Sequence, residues 1–312
     1  MSIAPCFDAG SPYCPCVLAE LGQCVACPVL RGEDTCACGW SGLCVYEEFI
    51  RSKMKARPGR RPVAATVLSR QEITKDADNP AFLLDVKVPR YLSLWCEVPG
   101  SFVLLRPKGS AERFNVPVSV MASSDAKITL AIEVMGPKTI ALHRACREGS
   151  DITLVGPFWS GLQGFAHLER LSSGRVLIVA KGIAQACAVQ AARYVTDRGG
   201  YVKALLGGGP LNRVFANGPV EEAGASVEVL PKAKDHNLAR VFAELVAVRY
   251  DVLLSAGAER QHRALRDLLA GVEDPPSFVW SSSLSMTCAE GICGSCLSNG
   301  FRGCKAHLPD GV

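Results

Sequence analysis

Fifteen cysteines are the chemically loaded residues of this 312-residue chain, and they are not spread evenly. Four close the chain as Cys288-x4-Cys293-x2-Cys296-x7-Cys304. The first three keep the spacing of plant-type two-iron clusters. Gly291 and Gly294 let the loop wrap tightly, because glycine accepts the positive φ that such a loop demands. Three thiolates then converge with backbone N–H groups aimed at the sulfurs, and Cys304 closes the site from a nearby turn. Structural zinc also accepts four thiolates, but zinc sites usually pair two short Cys-x2-Cys knuckles, which the wider first gap fits less well.

Eight more cysteines lie between Cys6 and Cys44, as Cys14-x-Cys16-x7-Cys24-x2-Cys27-x8-Cys36-x-Cys38-x5-Cys44 with Cys6 upstream. Such density in a short polar segment implies one or two metal centres. An iron–sulfur cluster would extend an electron chain; zinc would be structural, having no redox chemistry. Both assignments stay open. Without metal, the segment has too little apolar surface to offset its conformational entropy.

Composition sets the frame for these groups. At 48% hydrophobic and 21% charged residues the chain is globular, which excludes a disordered or collagen-like polymer. A net charge of +4 is too mild to indicate nucleic-acid binding. The start of the sequence has no basic and apolar leader, and no apolar run approaches the roughly 20 residues of a membrane helix. A soluble, cytoplasmic protein is expected, and in a reducing compartment clustered cysteines are metal ligands rather than disulfides. A secreted, disulfide-stapled protein would need export, and the long middle of the chain can form a core without staples.

The elements that must position the cysteines follow from pattern. Residues 1–50 are the Cys-rich, metal-binding segment. A basic stretch at 51–62 (Arg51, Lys53, Lys55, Arg57, Arg60, Arg61) reads as a solvated linker, or alternatively as a docking surface for an acidic partner. Residues 63–168 carry short strands punctuated by Gly, Pro and Asp: Ala64–Ser69, Ala81–Val88, Ser101–Arg106, Val116–Met121, Lys127–Val134 and Asp151–Val155, with one helix at Thr139–Cys146. That pattern is an antiparallel barrel or sandwich. Residues 169–276 alternate strand and helix: Arg175–Ala180, Ala184–Asp197, Tyr201–Leu206, Ser226–Leu230, Leu238–Val248, Tyr250–Ser255 and Glu259–Leu269. This is a parallel α/β sheet, its first strand apolar enough to be buried on both faces. Residues 277–312 form the C-terminal cluster segment. The Asp and Glu residues read as solvated surface, the five His show no ligand spacing, and Trp95, Trp159 and Trp280 read as packing residues.

From about residue 63 onward the chain resembles the electron-transfer subunit of dihydroorotate dehydrogenase and the related sulfide dehydrogenase and hydrogenase diaphorase subunits, within the ferredoxin–NADP reductase superfamily. The motifs that carry the resemblance are Pro99-Gly100-Ser101-Phe102-Val103, Val116-Pro117-Val118-Ser119, Gly136-Pro137-Lys138-Thr139, Gly156-Pro157 and the Cys288 group. It implies an FAD-binding antiparallel β-barrel, then a nicotinamide-type α/β domain, then a [2Fe-2S] cluster. Val116, Pro117, Val118 and Ser119 stand where the family holds the flavin ring and phosphates. Gly136, Lys138 and Thr139 stand at the flavin pyrophosphate, where a helix N-terminus favours an anion and Lys138 adds charge. Gly156 and Pro157 form the turn that leaves the barrel, and Gly182 sits in the place of the nucleotide phosphate loop.

The departures are as informative. The family's flavin-anchoring Arg is replaced by Asn115 or Val116, with Arg113 nearby. The loop Lys181-Gly182-Ile183-Ala184 keeps one of three glycines, and a β-carbon there crowds a pyrophosphate. Ala256-Gly257-Ala258 replaces the family's Cys-Gly-Pro. NAD(P) is therefore not expected to bind this chain. The resemblance implies an electron-transfer subunit of a larger oxidoreductase, open to electron bifurcation, with the flavin switching between two-electron and one-electron chemistry. Flavoenzyme or iron–sulfur partner subunits in a hetero-oligomer are expected, with no nucleic acid and no membrane. A self-contained NAD(P)H:acceptor reductase and a non-catalytic scaffold holding structural zinc are the alternatives.

Overall fold

The computed structural model describes residues 17–20, 22, 24, 27–36, 44–55, 62–74, 80–111, 114–232, 234–281, 286, 288, 297–298 and 301–302. Near the N-terminus, the helices α1 (Val17–Glu20) and α2 (Val45–Arg51) contribute to a small apolar cluster of Ala19, Cys24, Cys27, Leu30, Val45 and Phe49.

Six strands follow: β1 (Val63–Thr74), β2 (Ala81–Lys87), β3 (Phe102–Pro107), β4 (Val116–Ser124), β5 (Lys127–Glu133) and β6 (Asp151–Phe158). They close a barrel in the order β1-β2-β5-β4-β3-β6, antiparallel at every ladder. Alternation drives it: Phe82, Leu84 and Val86 of β2 point into the core while Leu83, Asp85 and Lys87 face out. Closure leaves no strand edge unpaired. Helix α3 (Arg90–Trp95) lies between β2 and β3, and α4 (Pro137–Ala145) seals the core with Leu142.

The rest alternates: β7 (Leu162–Gln163), α5 (Phe165–Glu169), β8 (Arg175–Lys181), α6 (Gln185–Thr196), β9 (Tyr201–Gly207), α7 (Asn217–Glu222), β10 (Ser226–Val229), α8 (Lys234–Ala247), β11 (Val252–Ala256), α9 (Glu259–Leu269) and β12 (Ser277–Ser281). The sheet order is β10-β9-β8-β11-β12-β7, parallel except where β7 meets β12. Val176, Ile178 and Ala180 face one apolar cluster, Leu177 and Val179 another, so the sheet is covered on both sides. Two short strands, β13 (Leu297–Ser298) and β14 (Phe301–Arg302), pair near the C-terminus.

The barrel-then-α/β architecture is the one expected from sequence. Several details differ. Ser277–Ser281, assigned above to the C-terminal segment, is a strand of the parallel sheet. Arg51 is no solvated linker residue: its guanidinium donates to Glu169 Oε1 over 2.9 Å and lies 4.1 Å above the Phe165 ring. Trp95 is 47% exposed rather than packed. Among the described residues, no helix is long and apolar enough to cross a membrane.

Candidate functional site

The pairing of β7 with β12 sets Leu162 opposite Ser281, so the strand that leads to the C-terminal cysteines ends where the chain leaves the barrel. At that junction Gly161 N–H donates to Gly100 C=O over 3.1 Å. A Cβ on Gly161 would run into that oxygen, and one on Gly100, at φ +81°, would lie 2.7 Å from Leu162 N. Only two glycines let these turns touch. Beside them is a cavity of about 100 Å³ bordered by Ser119, Cys187, Gly257 and Met286.

Met286 packs against Phe102, Leu104, Val155 and Phe158, and Ser119 Oγ donates to its sulfur over 3.5 Å. Of the residues compared with a flavin-holding motif, Ser119 therefore reaches the cavity. Val116 and Val118 turn into the barrel core by strand alternation. Gly156 and Pro157 lie within β6, where Gly156 sits against Val103.

At the start of α4, Thr139 Oγ1 accepts hydrogen bonds from Met135 N–H (2.9 Å) and Gly136 N–H (3.0 Å). Pro137 has no N–H, so the first-turn donors left to an anion are those of Lys138 and Thr139. The Lys138 side chain is buried, at 8% exposure. Its Nζ donates to Asn115 C=O over 3.1 Å and to Cys288 Sγ over 3.7 Å. The lysine matched to a phosphate thus stands at Cys288, the first of the four C-terminal cysteines. Arg106 of β3 donates to the Asn115 carboxamide over 3.3 Å, a cation that sequence reading missed because β3 carries it nine positions earlier.

The β8 loop is packed by the chain's own atoms. A Cβ on Gly207 would come 3.1 Å from Lys181 Cγ, and one on Gly209 would lie 2.7 Å from Gly182 N. With the Asn237 amide oxygen turned toward it, Lys181 Nζ donates to that oxygen over 3.1 Å. Burial, and then the Arg260 guanidinium, hold the Lys181 pKa below its usual value.

Of the seven cysteines of the N-terminal pattern, Cys24, Cys27, Cys36 and Cys44 are described; Cys14, Cys16 and Cys38 lie outside the described residues. Cys24 and Cys27 are buried in the small apolar cluster. Burial pushes the Cys27 thiol up, the N–H groups of Leu30 and Val29 pull it down, and the Cys24 and Cys36 thiols push it up again. Cys44 is raised by burial first, and it too lies within electrostatic reach of Cys27 and Cys36. Among the described residues no three His, Cys, Asp or Glu side chains close on a point that would hold a metal ion. Of the four C-terminal cysteines expected as ligands, Cys288 is described, while Cys293, Cys296 and Cys304, and also Arg113, lie outside the described residues. A larger cleft of about 480 Å³, between α3, the β4–β5 turn and α6, contains none of the predicted site residues.

No family model matches the chain. Against curated proteins, it is 33% identical over 95 residues to the electron transfer subunit of dihydroorotate dehydrogenase B (NAD(+)) of Clostridium acetobutylicum. That stretch is 30% of this chain and 36% of the relative, so the chain spans about a third of the curated protein it matches. Among solved structures, it is similar to an NADH-dependent reduced ferredoxin-NADP oxidoreductase studied for flavin-based electron bifurcation. The TM-score is 0.57 and the identity 19%, covering 74% of this chain and 80% of that one. Ferredoxin-NADP+ reductase from Plasmodium falciparum aligns with a TM-score of 0.53 at 13% identity, covering 68% of this chain and 92% of that one. The chain has the ferredoxin–NADP reductase fold. Within that fold the junction cavity lies between the barrel and the α/β sheet, and the Cys288 segment starts from the same seam. Met286 escaped sequence reading because it belongs to no local motif; its place two residues before Cys288 was the one signal.

Proposed function

We propose that this chain is the electron-transfer flavin and iron–sulfur subunit of a cytoplasmic, multi-subunit oxidoreductase. In this reading electrons pass between FAD, a [2Fe-2S] cluster and a partner subunit of a hetero-oligomer, an electron-bifurcating one included. The observation that carries it is the seating of Cys288 on the barrel, where its sulfur accepts from Lys138 Nζ. The partial likeness to a dihydroorotate dehydrogenase electron transfer subunit supports the same role.

The residues present fit a flavin in kind. Ser119 brings a hydroxyl into the cavity, Gly100 and Gly161 permit close approach, and the α4 N-terminus with Lys138 suits a diphosphate. Ligand pockets usually span about 300–1,000 Å³, so the ring needs the Met286 side chain to swing aside. An unbranched thioether does so readily. A bound flavin exchanges electrons singly or in pairs, which suits a cluster that takes them singly. Cys288, Cys293, Cys296 and Cys304 hold the irons in this proposal. Cys24, Cys27, Cys36 and Cys44, with Cys14, Cys16 and Cys38 as further ligands, hold a second centre, iron–sulfur or zinc, in this proposal; the dense spacing of these cysteines in the sequence supports it. NAD(P) has no place on this chain, a reading supported by the packing of Lys181 and Gly209 over the β8 loop.

Anaerobic isolation tests the proposal. The expected preparation holds flavin and iron, shows a rhombic ferredoxin-like signal after dithionite, and keeps its flavin oxidised in NADH alone. Bleaching by NADH would point to a self-contained reductase. A colourless, zinc-only preparation would point to a scaffold. Gly161→Ala, which drives a methyl into Gly100 C=O beside the cavity, is expected to lower flavin retention at least about tenfold, a loss of about 1.4 kcal/mol of binding. Equilibrium dialysis of added FAD checks it, and unchanged retention would place the flavin elsewhere.

A further inference from the structure

Lys138 holds two candidate duties at one place, and its geometry separates them. It sits in the first turn of α4, where a flavin diphosphate would lie, yet its ammonium is spent on Asn115 C=O and on the sulfur of Cys288, 150 residues away in sequence. The side chain is 8% exposed, so its charge acts in a medium far less screening than water. Asn115 C=O, fixed at the start of β4, pins the Nζ end on the barrel side. The ammonium is thus anchored to the barrel independently of its bond to Cys288.

We infer that Lys138 is a positioning residue for the C-terminal cluster, seating Cys288 against the barrel and raising the cluster's reduction potential with its fixed charge. The inference rests on the iron–sulfur reading above and adds a residue to it. A cluster held by four thiolates is negatively charged and gains one more negative charge on reduction, when one electron converts one ferric ion to ferrous. Net charge and hydrogen bonds to the sulfurs set the potential of such centres. A buried cation at hydrogen-bond distance from one ligating sulfur favours the reduced state. The cluster would then accept an electron more easily than the same cysteines in water, as a relay next to a flavin requires.

The test is a potentiometric titration of the anaerobically isolated full chain, followed by the rhombic signal, with dithionite supplying the electron through mediators. Lys138→Gln is expected to shift the midpoint to more negative potential and Lys138→Arg to restore it. Flavin content measured on the same samples separates the two duties. Loss of flavin in Lys138→Gln with an unmoved cluster midpoint overturns the inference and returns the lysine to the diphosphate. If Lys138→Gln fails to load a cluster, wild-type iron content in Lys138→Arg carries the inference, and failure of both overturns it, because shape rather than charge then decides. A wild-type chain without the rhombic signal overturns the underlying iron–sulfur reading and this one with it; a wild-type chain with the signal, and no shift in Lys138→Gln, overturns this one alone.

Discussion

Glu244→Ala is expected to lower the thermal midpoint of the α/β sheet region by roughly 10 °C near neutral pH, on about 3–5 kcal/mol for removing one member of a buried ionic network and ~2–4 °C per kcal/mol at this size. Glu244, on α8, is almost fully buried. It accepts from Lys203 Nζ over 2.8 Å, from an Arg240 guanidinium nitrogen over 2.8 Å and from Tyr250 Oη over 2.7 Å. Arg240 also grips Glu228 of the edge strand β10 with two bonds of 2.7 and 2.6 Å. Removing the Glu244 carboxylate leaves the buried Tyr250 hydroxyl without that acceptor and the half-buried Lys203 with Glu228 at 3.4 Å as its remaining carboxylate, so the cost is mainly the desolvated groups left behind.

The same network gives a pH signature. Burial alone would raise the Glu244 carboxyl, but hydrogen bonds from Lys203, Tyr250 and Arg240 outweigh it and hold the pKa at about 2, against an ordinary 4.5. A folded-state pKa below the unfolded one contributes stability that is present above about pH 4.5 and lost as pH falls toward 2. The gap between wild type and Glu244→Ala, measured by urea unfolding, should be full at pH 7 and shrink steadily between those limits. A gap independent of pH would show that the carboxylate is not the stabilising species.

Glu244 also marks where sequence reading stops. The acidic residues read as solvated surface, and for Glu244 and Glu48 that is wrong. Charge type says nothing of partners supplied by other elements: Lys203 comes from β9 and Tyr250 from the turn before β11, 41 and 6 positions away. Strands were legible where alternation or a continuous apolar run set them, as in β2, β5 and β8. Each of these is buried by its neighbours in the expected way, and Glu259–Leu269 forms the expected helix. Helix α3 was not legible. It is six residues long, follows Pro89 and buries only Leu92 and Ser93, too little to leave a 3.6-residue period. Strand β12 was hidden because its apolar core, Phe278–Trp280, abuts a Ser-rich stretch that reads as tail. At the site, the cysteine spacings and the Ser119 motif were legible as local patterns. The contacts of Lys138 with Cys288 and of Ser119 with Met286 were not, since they join positions more than a hundred residues apart.

A contact that ties α2 to the rest of the molecule is equally non-local, and it carries the second large effect. Glu48 of α2 is 0% exposed, and its Oε1 accepts the backbone N–H of Trp159 over 3.0 Å. Trp159 Nε1 in turn donates to Trp95 C=O over 3.0 Å. One carboxylate thus joins α2, four residues beyond Cys44, to the chain just past β6, two residues before Gly161 of the junction cavity. Glu48→Ala leaves the Trp159 N–H buried without that acceptor, a loss of about 2 kcal/mol. Glu48 and Trp159 both lie outside the barrel strands, and Arg51 with Glu169 and Phe165 bridges the same seam, so the loss falls on docking rather than on the barrel. Hydrogen exchange at the Trp159 amide should quicken by roughly thirtyfold on that free energy, while amides of β2 and β5 keep their protection. Glu33→Ala, which removes only the exposed pair with Arg31, serves as the surface control and should change nothing beyond about 0.5 kcal/mol. If Glu48→Ala left the Trp159 amide as protected as in wild type, α2 would be held against the rest of the molecule by other means.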